Sequence, residues 1–147
     1  MMVEDHDTEP NMSSTLKLEI ITPAATVFSE DVEMVTLPGV EGELGILPQH
    51  VPLMTQMVPG EMVVRKNGQD RFLAVGEGLI EITGDHVTIL TDQAMAAENI
   101  DVALAEEARQ RAQARLKEKL SAEEVANVNA ALARSLAEIR VKRRQRS

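Results

Sequence analysis

Residues 40–52 read Val-Glu-Gly-Glu-Leu-Gly-Ile-Leu-Pro-Gln-His-Val-Pro, and this stretch decides how the chain around it is organised. Gly42 and Gly45 can adopt positive φ angles at little steric cost. Pro48 and Pro52 each fix φ at about −65° and lack a backbone donor, so a regular helix is excluded. Because no nucleophile lies beside a base here, we interpret the stretch as a rigid, shaped edge that contacts another protein.

Short segments that alternate apolar and polar residues surround this stretch and predict β-strands. Two turns join four of them into hairpins: Asn67-Gly68 suits a type I′ turn, and Gly84-Asp85 suits a type II′ turn. Many short strands at spacings of about 8–12 residues are typical of a β-sandwich or barrel. Since no helical segment interrupts them, we expect antiparallel strands without crossover-linked parallel pairs. The predicted strands cover residues 16–20, 26–28, 32–37, 53–58, 61–66, 69–75, 79–83 and 86–91.

A helical hairpin is predicted after the last strand. Asp101 is the expected N-cap of a first helix over residues 102–120. Ser121 and Glu124 then match a capping box, which starts a second helix that extends from 122 to about 142. The link between the helices is very short, so we expect them to lie antiparallel.

The apolar stripes of this hairpin are thin, because alanine supplies much of them. An alanine methyl group buries little surface, so such helices form through propensity but dock weakly. A mobile hairpin and a permanently packed one both remain open, since a helical pattern carries no information about mobility. The predicted stripes are Leu104, Ala108, Ala112, Leu116 and Leu120 in the first helix, and Val125, Val128, Leu132, Leu136 and Ile139 in the second.

Composition divides the chain into three parts: a disordered acidic arm at 1–14, a β-sandwich domain at 15–98, and a helical hairpin with a basic tail at 99–147. Residues 1–97 carry 16 acidic and 4 basic side chains, whereas residues 98–147 carry 8 acidic and 11 basic ones. An acidic front and a basic back indicate two modules that face different partners.

Several classes of function are excluded by composition. The chain has no cysteine, so disulfides and thiol catalysis are absent. Its only aromatic residues are Phe28 and Phe72, too few for the stacking platforms that bind single-stranded nucleic acid. No apolar run approaches the roughly 18–20 residues that span a bilayer, and the acidic N-terminus does not suit a targeting peptide. We expect a soluble protein that stays in the compartment where it is made.

Few residues are candidates for chemistry. Glu41 and Glu43 are spaced as an acid/base pair, but without an identifiable polar partner we favour solvent or protein contact for them. His6, His50 and His86 lie far apart and lack metal-ligand spacing, so no metal site is expected.

Two further motifs have plain explanations. Gly76 and Gly78 lack the remaining glycines of a phosphate loop and predict a β-turn. The basic tail at residues 140–146 is compatible with a solvated helix end, with nucleic-acid binding, or with an acidic protein partner, which we favour.

Residues 42–52 resemble the GELGILPxHxP signature of the epsilon subunits of rotary F-type ATP synthases. Residues 72–82 are similar to that family's FxAVxGGxxEV segment, and residues 87–94 to its VTVLADxA segment. Residues 131–141 resemble the end of its C-terminal helix. The resemblance covers residues 16–141, in order and at the family's spacing.

This resemblance implies a ten-stranded β-sandwich followed by an antiparallel α-helical hairpin. It also implies a non-catalytic central-stalk subunit without cofactors. Such a subunit binds the gamma subunit and rests on the c-ring. It couples proton-driven rotation to the catalytic head of alpha and beta subunits. The hairpin would extend along gamma and restrain ATP hydrolysis. The implied location is peripheral, at the cytoplasmic face of the bacterial plasma membrane, which the chain would reach only through the complex. Nucleic acid is not an implied partner.

The resemblance carries over to particular residues. Glu41, Gly42 and Glu43 match the loop that contacts the c-ring, and His50 matches a position near gamma. On the inhibitory helix, the cations that would face acidic segments of the beta subunits are Arg134, Arg140, Lys142 and Arg143.

The chain departs from the family at two places. Glu77 stands where a glycine is usual. Nucleotide-sensing members carry an I/L-D-x-x-R-A motif, of which this chain keeps Asp101 and Ala105 but has Leu104 in place of the arginine. Two other classes of function remain for comparison: a free-standing adaptor or chaperone of the same fold, and an enzyme that uses Glu41 or Glu43.

We predict weak or absent ATP binding by the isolated chain, because Leu104 cannot form the charge-assisted hydrogen bonds that an arginine makes to phosphate. Isothermal titration calorimetry with ATP is expected to show no saturable heat. A micromolar dissociation constant in that titration would contradict the prediction.

Overall fold

The computed structural model describes residues 15–146, which form ten β-strands followed by two α-helices. The predicted acidic arm and His6 lie outside the described residues. In chain order the elements are β1 (Leu16–Ile21), β2 (Thr26–Val32), β3 (Met34–Gly39), β4 (Gly42–Ile46), β5 (Leu53–Met57), β6 (Gly60–Lys66), β7 (Gln69–Val75), β8 (Gly78–Thr83), β9 (His86–Thr91), β10 (Ala94–Ala96), a 3-10 turn (Ala97–Asn99), α1 (Val102–Arg115) and α2 (Ala122–Arg146).

The strands follow the spatial order β10-β7-β6-β3-β5-β8-β9-β1-β2, and β4 pairs with β3 beside this path. A sheet of this length curls into the two halves of the predicted sandwich. Strand pairs are antiparallel except β1 and β9, which are parallel in the register Lys17↔His86 to Ile21↔Leu90. The expectation of purely antiparallel pairing is therefore wrong at one place. Parallel neighbours need a long connection, and here the intervening strands supply it without a crossover helix.

Both predicted hairpin turns are present. Asn67 and Gly68 have φ angles of 55° and 75°, as the type I′ turn between β6 and β7 requires. The Glu33 carboxylate accepts hydrogen bonds from the backbone N–H groups of both residues, at 3.1 and 3.2 Å. Gly84, at the first position of the turn between β8 and β9, has φ of 57°. Turn chemistry thus fixes the register of four strands.

The core of the sandwich consists of alternate residues of its strands, as the period-2 pattern predicts. Their side chains are large and aliphatic for the most part, with Phe28 as the one aromatic residue among them. This core is complete without either helix. Its members are Leu16, Leu18, Ile20, Phe28, Val32, Val35, Leu37, Ile46, Met57, Met62, Val64, Leu73, Val75, Ile80, Ile82, Val87 and Ile89.

Helix α1 begins as predicted but ends early. Asp101 Oδ1 accepts hydrogen bonds from the N–H groups of Ala103 and Leu104, at 3.0 and 3.3 Å. The helix ends at Arg115 instead of residue 120. The backbone hydrogen bonds that follow join residues three apart, as in a 3-10 helix, and so tighten the chain into a turn. Leu104 is 61% exposed and lies outside the buried stripe, which contains Ala105 and Ala112.

Helix α2 starts with the predicted capping box. Ser121 N–H donates to Glu124 Oε1 at 2.9 Å, and Glu124 N–H donates to Ser121 Oγ at 3.1 Å. The helix continues to Arg146, beyond the predicted end at 142. It packs along α1 and forms the expected hairpin. None of the helices within residues 15–146 is long and apolar enough to cross a membrane.

The C-terminal half of α2 packs on β6 and β7. A second, small hydrophobic cluster lies beneath it, and Phe72 and Met95 border this cluster. The hairpin is therefore docked on the sandwich in this structure. The sequence pattern alone does not decide whether it docks. The buried members of the cluster are Ala74, Ala97, Ile100, Ala137 and Val141.

One carboxyl group on the docked face of α2 is partly desolvated. Burial raises the pKa of the Glu138 carboxyl, while a hydrogen bond from Gln93 and the charge of Arg134 oppose this shift. Gln93 Nε2 donates to Glu138 Oε2 at 2.9 Å, which links α2 to the end of the sheet. Docking therefore favours the protonated form of this side chain.

We predict that docking of α2 weakens as the pH rises through the raised pKa of Glu138. The pKa of this carboxyl is higher in the docked state than in the undocked state. Its contribution to docking is therefore complete below its ordinary pKa, at about pH 4, and is lost as the pH rises through the raised pKa. Glu138→Gln keeps an acceptor for Gln93 and removes the charge, so docking at pH 7 should be retained or strengthened and its pH dependence reduced. Hydrogen exchange of α2 from pH 4 upward to pH 8, after correction for intrinsic rates, measures this, with Glu123→Gln at the exposed start of α2 as the control. Faster exchange of the Gln variant at pH 7 would contradict the prediction.

Candidate interaction surfaces

The turn between β3 and β4 forms an exposed tip, which we call the tip loop (residues 40–43). Gly39 pairs with Gly42, whose φ of 124° is accessible to glycine but costly for other residues. The structure brings the predicted c-ring residues Glu41, Gly42 and Glu43 together at this tip, all exposed. The glycine-rich stretch is more regular than expected, because residues 42–46 pair with β3 as a strand.

His50 lies in the loop of residues 47–52, at the opposite end of β4 and β5 from the tip loop. Its Nδ1 lies 2.7 Å from the carbonyl oxygen of Val51. Gln49, with φ of 67°, donates its backbone N–H to Asp85 Oδ1 at 2.6 Å, which ties the loop to the turn between β8 and β9. The predicted c-ring and gamma residues therefore belong to two separate sites.

An apolar stripe crosses the outer face of β5, β8, β9 and β1. Met54, Leu79 and Leu90 are 66%, 45% and 47% exposed. Leu79 pairs with Leu90, and Leu90 pairs with Ile21 on β1, so these three side chains follow one another across neighbouring strands. Met54 on β5 pairs with Glu81, which is two residues from Leu79 along β8 and on the same face. Exposed apolar side chains that are contiguous mark contact sites for other proteins.

The sequence contains a signal for this apolar stripe. Strands with one solvated face alternate strictly between apolar and polar residues. Here apolar residues stand side by side at Leu53-Met54, Leu79-Ile80 and Ile89-Leu90. In each pair one side chain must face outward, and those are the residues of the stripe.

The predicted inhibitory cations of α2 lie against the sandwich. Arg134 Nη1 is 3.8 Å from Asp92 Oδ2, and Lys142 Nζ donates to the carbonyl oxygen of Ala97 at 3.0 Å. Arg140 Nε is 4.0 Å from Glu61 Oε1. These cations therefore have partners within the chain while α2 is docked.

A further cation of α2, Arg144, pairs with the same carboxylate. Arg144 Nε is 2.8 Å from Glu61 Oε2, and its guanidinium carbon lies 5.7 Å from the centre of the Phe72 ring. Arg143 lines a cavity together with Glu61, Arg140 and Arg144. Arg144 was not singled out from the sequence, because nothing in the helical pattern indicates which strand carboxylate lies opposite.

The turn at residues 76–78 explains the unusual Glu77. A Cβ atom on Gly76 would lie 2.0 Å from Asp92 Oδ1, and one on Gly78 would lie 2.1 Å from the carbonyl oxygen of Leu90. Glycine is required at residue 78, where the close atoms belong to the backbone, whereas at residue 76 the close atom is the end of the Asp92 side chain. The Glu77 side chain is exposed and only its carbonyl is engaged, as an acceptor from Thr91 Oγ1 at 2.8 Å, so this position tolerates a side chain.

Neither histidine of the described chain belongs to a metal site. His86 Nε2 lies 2.8 Å from Glu19 Oε1, on the surface between β9 and β1. Within residues 15–146 no group of three or more histidine, aspartate or glutamate side chains is arranged to hold a metal ion.

Comparisons with known proteins agree with this arrangement. A family model described as ATP synthase, Delta/Epsilon chain, beta-sandwich domain matches residues 15–97, and one described as the long alpha-helix domain of the same chain matches residues 98–143. The ATP synthase epsilon chain 2 of Syntrophotalea carbinolica is 43% identical over 131 residues, which cover 88% of this chain and 95% of the relative. The ATP synthase epsilon chain of Pelotomaculum thermopropionicum is 48% identical over 105 residues, or 71% and 78% of the two chains.

Solved structures show the same fold. A chain in the mitochondrial ATP synthase of Euglena gracilis, an assembly of OSCP, F1 and c-ring, matches with a TM-score of 0.71 and 23% identity over 84% of this chain and 78% of that one. A chain in the central stalk and c-ring of the Tetrahymena thermophila mitochondrial enzyme matches with a TM-score of 0.58 and 13% identity, covering 89% and 96%. With both family models matched in order along the chain, it belongs to the ATP synthase delta/epsilon chain family.

Proposed function

We propose that the chain is a non-catalytic epsilon subunit in the central stalk of a proton-driven F-type ATP synthase. In this role it binds gamma, transmits rotation of the c-ring toward the catalytic head, and restrains ATP hydrolysis through its hairpin. The observation that carries the proposal is the separation of three surfaces on one rigid sandwich: the tip loop, the apolar stripe and the face covered by α2.

The apolar stripe is the surface best suited to gamma. It lies on β5, β8, β9 and β1, whereas α2 packs on β6 and β7, so a partner on the stripe leaves the hairpin free to move. Burying Met54, Leu79 and Leu90 would stabilise the contact by about 25 cal/mol for each Å² of apolar surface removed from water. His50 lies in the loop that precedes β5, one of the strands that carry the stripe.

The tip loop is the surface proposed to meet the c-ring. Glu41 and Glu43 offer carboxylates to polar groups of a partner, and Gly42 allows close backbone approach. Because β3 and β4 hold the tip in register, a force applied there is passed into the core of the sandwich. Through this contact the chain would lie at the cytoplasmic face of the bacterial plasma membrane without entering the bilayer.

The hairpin is the proposed regulatory element. In an extended state, Arg134, Arg140, Lys142 and Arg143 would leave their partners on the sandwich and face acidic segments of the beta subunits. The alanine-rich cluster beneath α2 buries little apolar surface, whereas the core of the sandwich is complete without it. Undocking α2 therefore costs less free energy than unfolding the sandwich.

Truncation after Glu98 tests the proposal. The shortened chain should fold, since all members of the main core precede this residue. In a complex reconstituted from subunits that lack the native chain, it should bind gamma with unchanged affinity, and ATP hydrolysis should rise above the level with the full chain. Unchanged hydrolysis would contradict the regulatory role of the hairpin.

A single substitution in the full chain tests whether the apolar stripe binds gamma. Met54→Glu places a charge in the apolar stripe and should weaken binding to gamma about tenfold or more, since an unpaired charge must be desolvated. Glu107→Gln, on the exposed side of α1, is the control and should bind normally. Normal binding by the Met54 variant would place gamma elsewhere, and a chain that binds no ATP synthase subunit would favour an adaptor function.

A further inference from the structure

Glu61 is the carboxylate of the sandwich that α2 covers most closely. Its side chain is 18% exposed, although it stands on the outward face of β6. Two arginines of α2 meet its two oxygens: Arg144 Nε at 2.8 Å from Oε2, and Arg140 Nε at 4.0 Å from Oε1. A carboxylate this far removed from water needs such cations, because its charge is otherwise poorly solvated.

Arg144 links this ion pair to the small cluster under the helix. Its guanidinium lies over Phe72, which borders the cluster, at 5.7 Å from the ring centre. A cation over an aromatic ring adds attraction to that of the neighbouring ion pair. Three of the five buried residues of the cluster are alanines, which contribute little on burial, so the charged contacts at its edge add to the docking of α2.

A second ion pair lies at the N-terminal end of the part of α2 that packs on the sandwich. Arg134 of α2 faces Asp92, which follows β9 and lies against Gly76. Arg134 and Arg144 are ten residues apart, which places them about 15 Å apart along a helix. Both carboxylates belong to the sandwich and both arginines to α2, so the two pairs clamp the helix at separate points.

We infer that Glu61, with Asp92 at the far end, is an internal competitor for the arginines of α2. The inference rests on the proposed inhibitory role of the hairpin. In the docked state, arginines of α2 form ion pairs with Glu61 and Asp92. These ion pairs must break before the same arginines can bind carboxylates of a partner. Glu61 therefore sets how often α2 is free, and added salt releases the helix by screening the same pairs.

Hydrogen exchange of the isolated full-length chain measures this directly. Glu61→Gln preserves the shape of the side chain and removes its charge, and the amides of residues 132–142 should then exchange about three- to tenfold faster. Amides of the main core should be unchanged, which shows that the sandwich is folded. Asp31→Asn removes the same charge from an exposed position on β2 and should leave α2 unaffected.

Arg144→Gln gives an independent variant in case the strand substitution disturbs the sheet. It lies near the end of α2, outside the sandwich, and should accelerate exchange of the same amides. The double variant should exchange more slowly than the product of the two single effects predicts, because both substitutions remove the shared Glu61–Arg144 pair. Exchange of α2 that is unchanged in both single variants, or effects that simply add, would overturn the inference.

Hydrolysis by the reconstituted complex distinguishes this inference from the proposed function. If the hairpin is inhibitory, Glu61→Gln should lower ATP hydrolysis, because α2 is free more often. Faster exchange with unchanged hydrolysis would support Glu61 as the competitor and refute the inhibitory role. Unchanged exchange would refute the competitor role whatever the hydrolysis rate.

Discussion

The packing of α2 on β6 and β7 is the interaction on which the account depends. Small residues on both sides, Ala74 on the strand and Ala137 on the helix, let the two backbones approach closely but bury little apolar surface. Charged contacts surround this small cluster and complete the interface. The result is a helix that has a defined docked position and a low cost of leaving it, whereas the sandwich beneath retains its own core.

The rest of the fold serves to hold separate surfaces in fixed relation. The parallel pairing of β1 with β9 extends one half of the sheet and so makes the outer face on which the apolar stripe lies. The hairpin of β3 and β4 projects the tip loop from the other half. A sandwich with an apolar face, a polar tip and a helix docked on a small cluster fits the proposed role as a subunit of a rotary complex.

Much of this could be predicted from local sequence, because the deciding interactions are local. The Asn67-Gly68 turn, the Asp101 cap and the Ser121–Glu124 capping box each depend on a few neighbouring residues, and all three have the predicted geometry. Contacts between distant residues were harder to foresee. The β1–β9 pair and the opposition of Glu61 to Arg144 are set by topology, which no local pattern encodes. The early end of α1 reflects the turn to α2, which overrides helix propensity.

A cross-link that holds α2 down tests the central claim most directly. Gln93 and Glu138 are hydrogen-bonded across the docked interface, and the chain has no cysteine of its own. Gln93→Cys combined with Glu138→Cys, joined by a short bifunctional thiol reagent, therefore gives a single defined tether. In the reconstituted complex we expect cross-linking to raise ATP hydrolysis to the level found with the chain truncated after Glu98, whereas treating either single cysteine variant with the reagent should leave the hydrolysis rate of that variant unchanged. Hydrolysis that does not change when the tether forms would show that undocking of α2 has no part in the restraint.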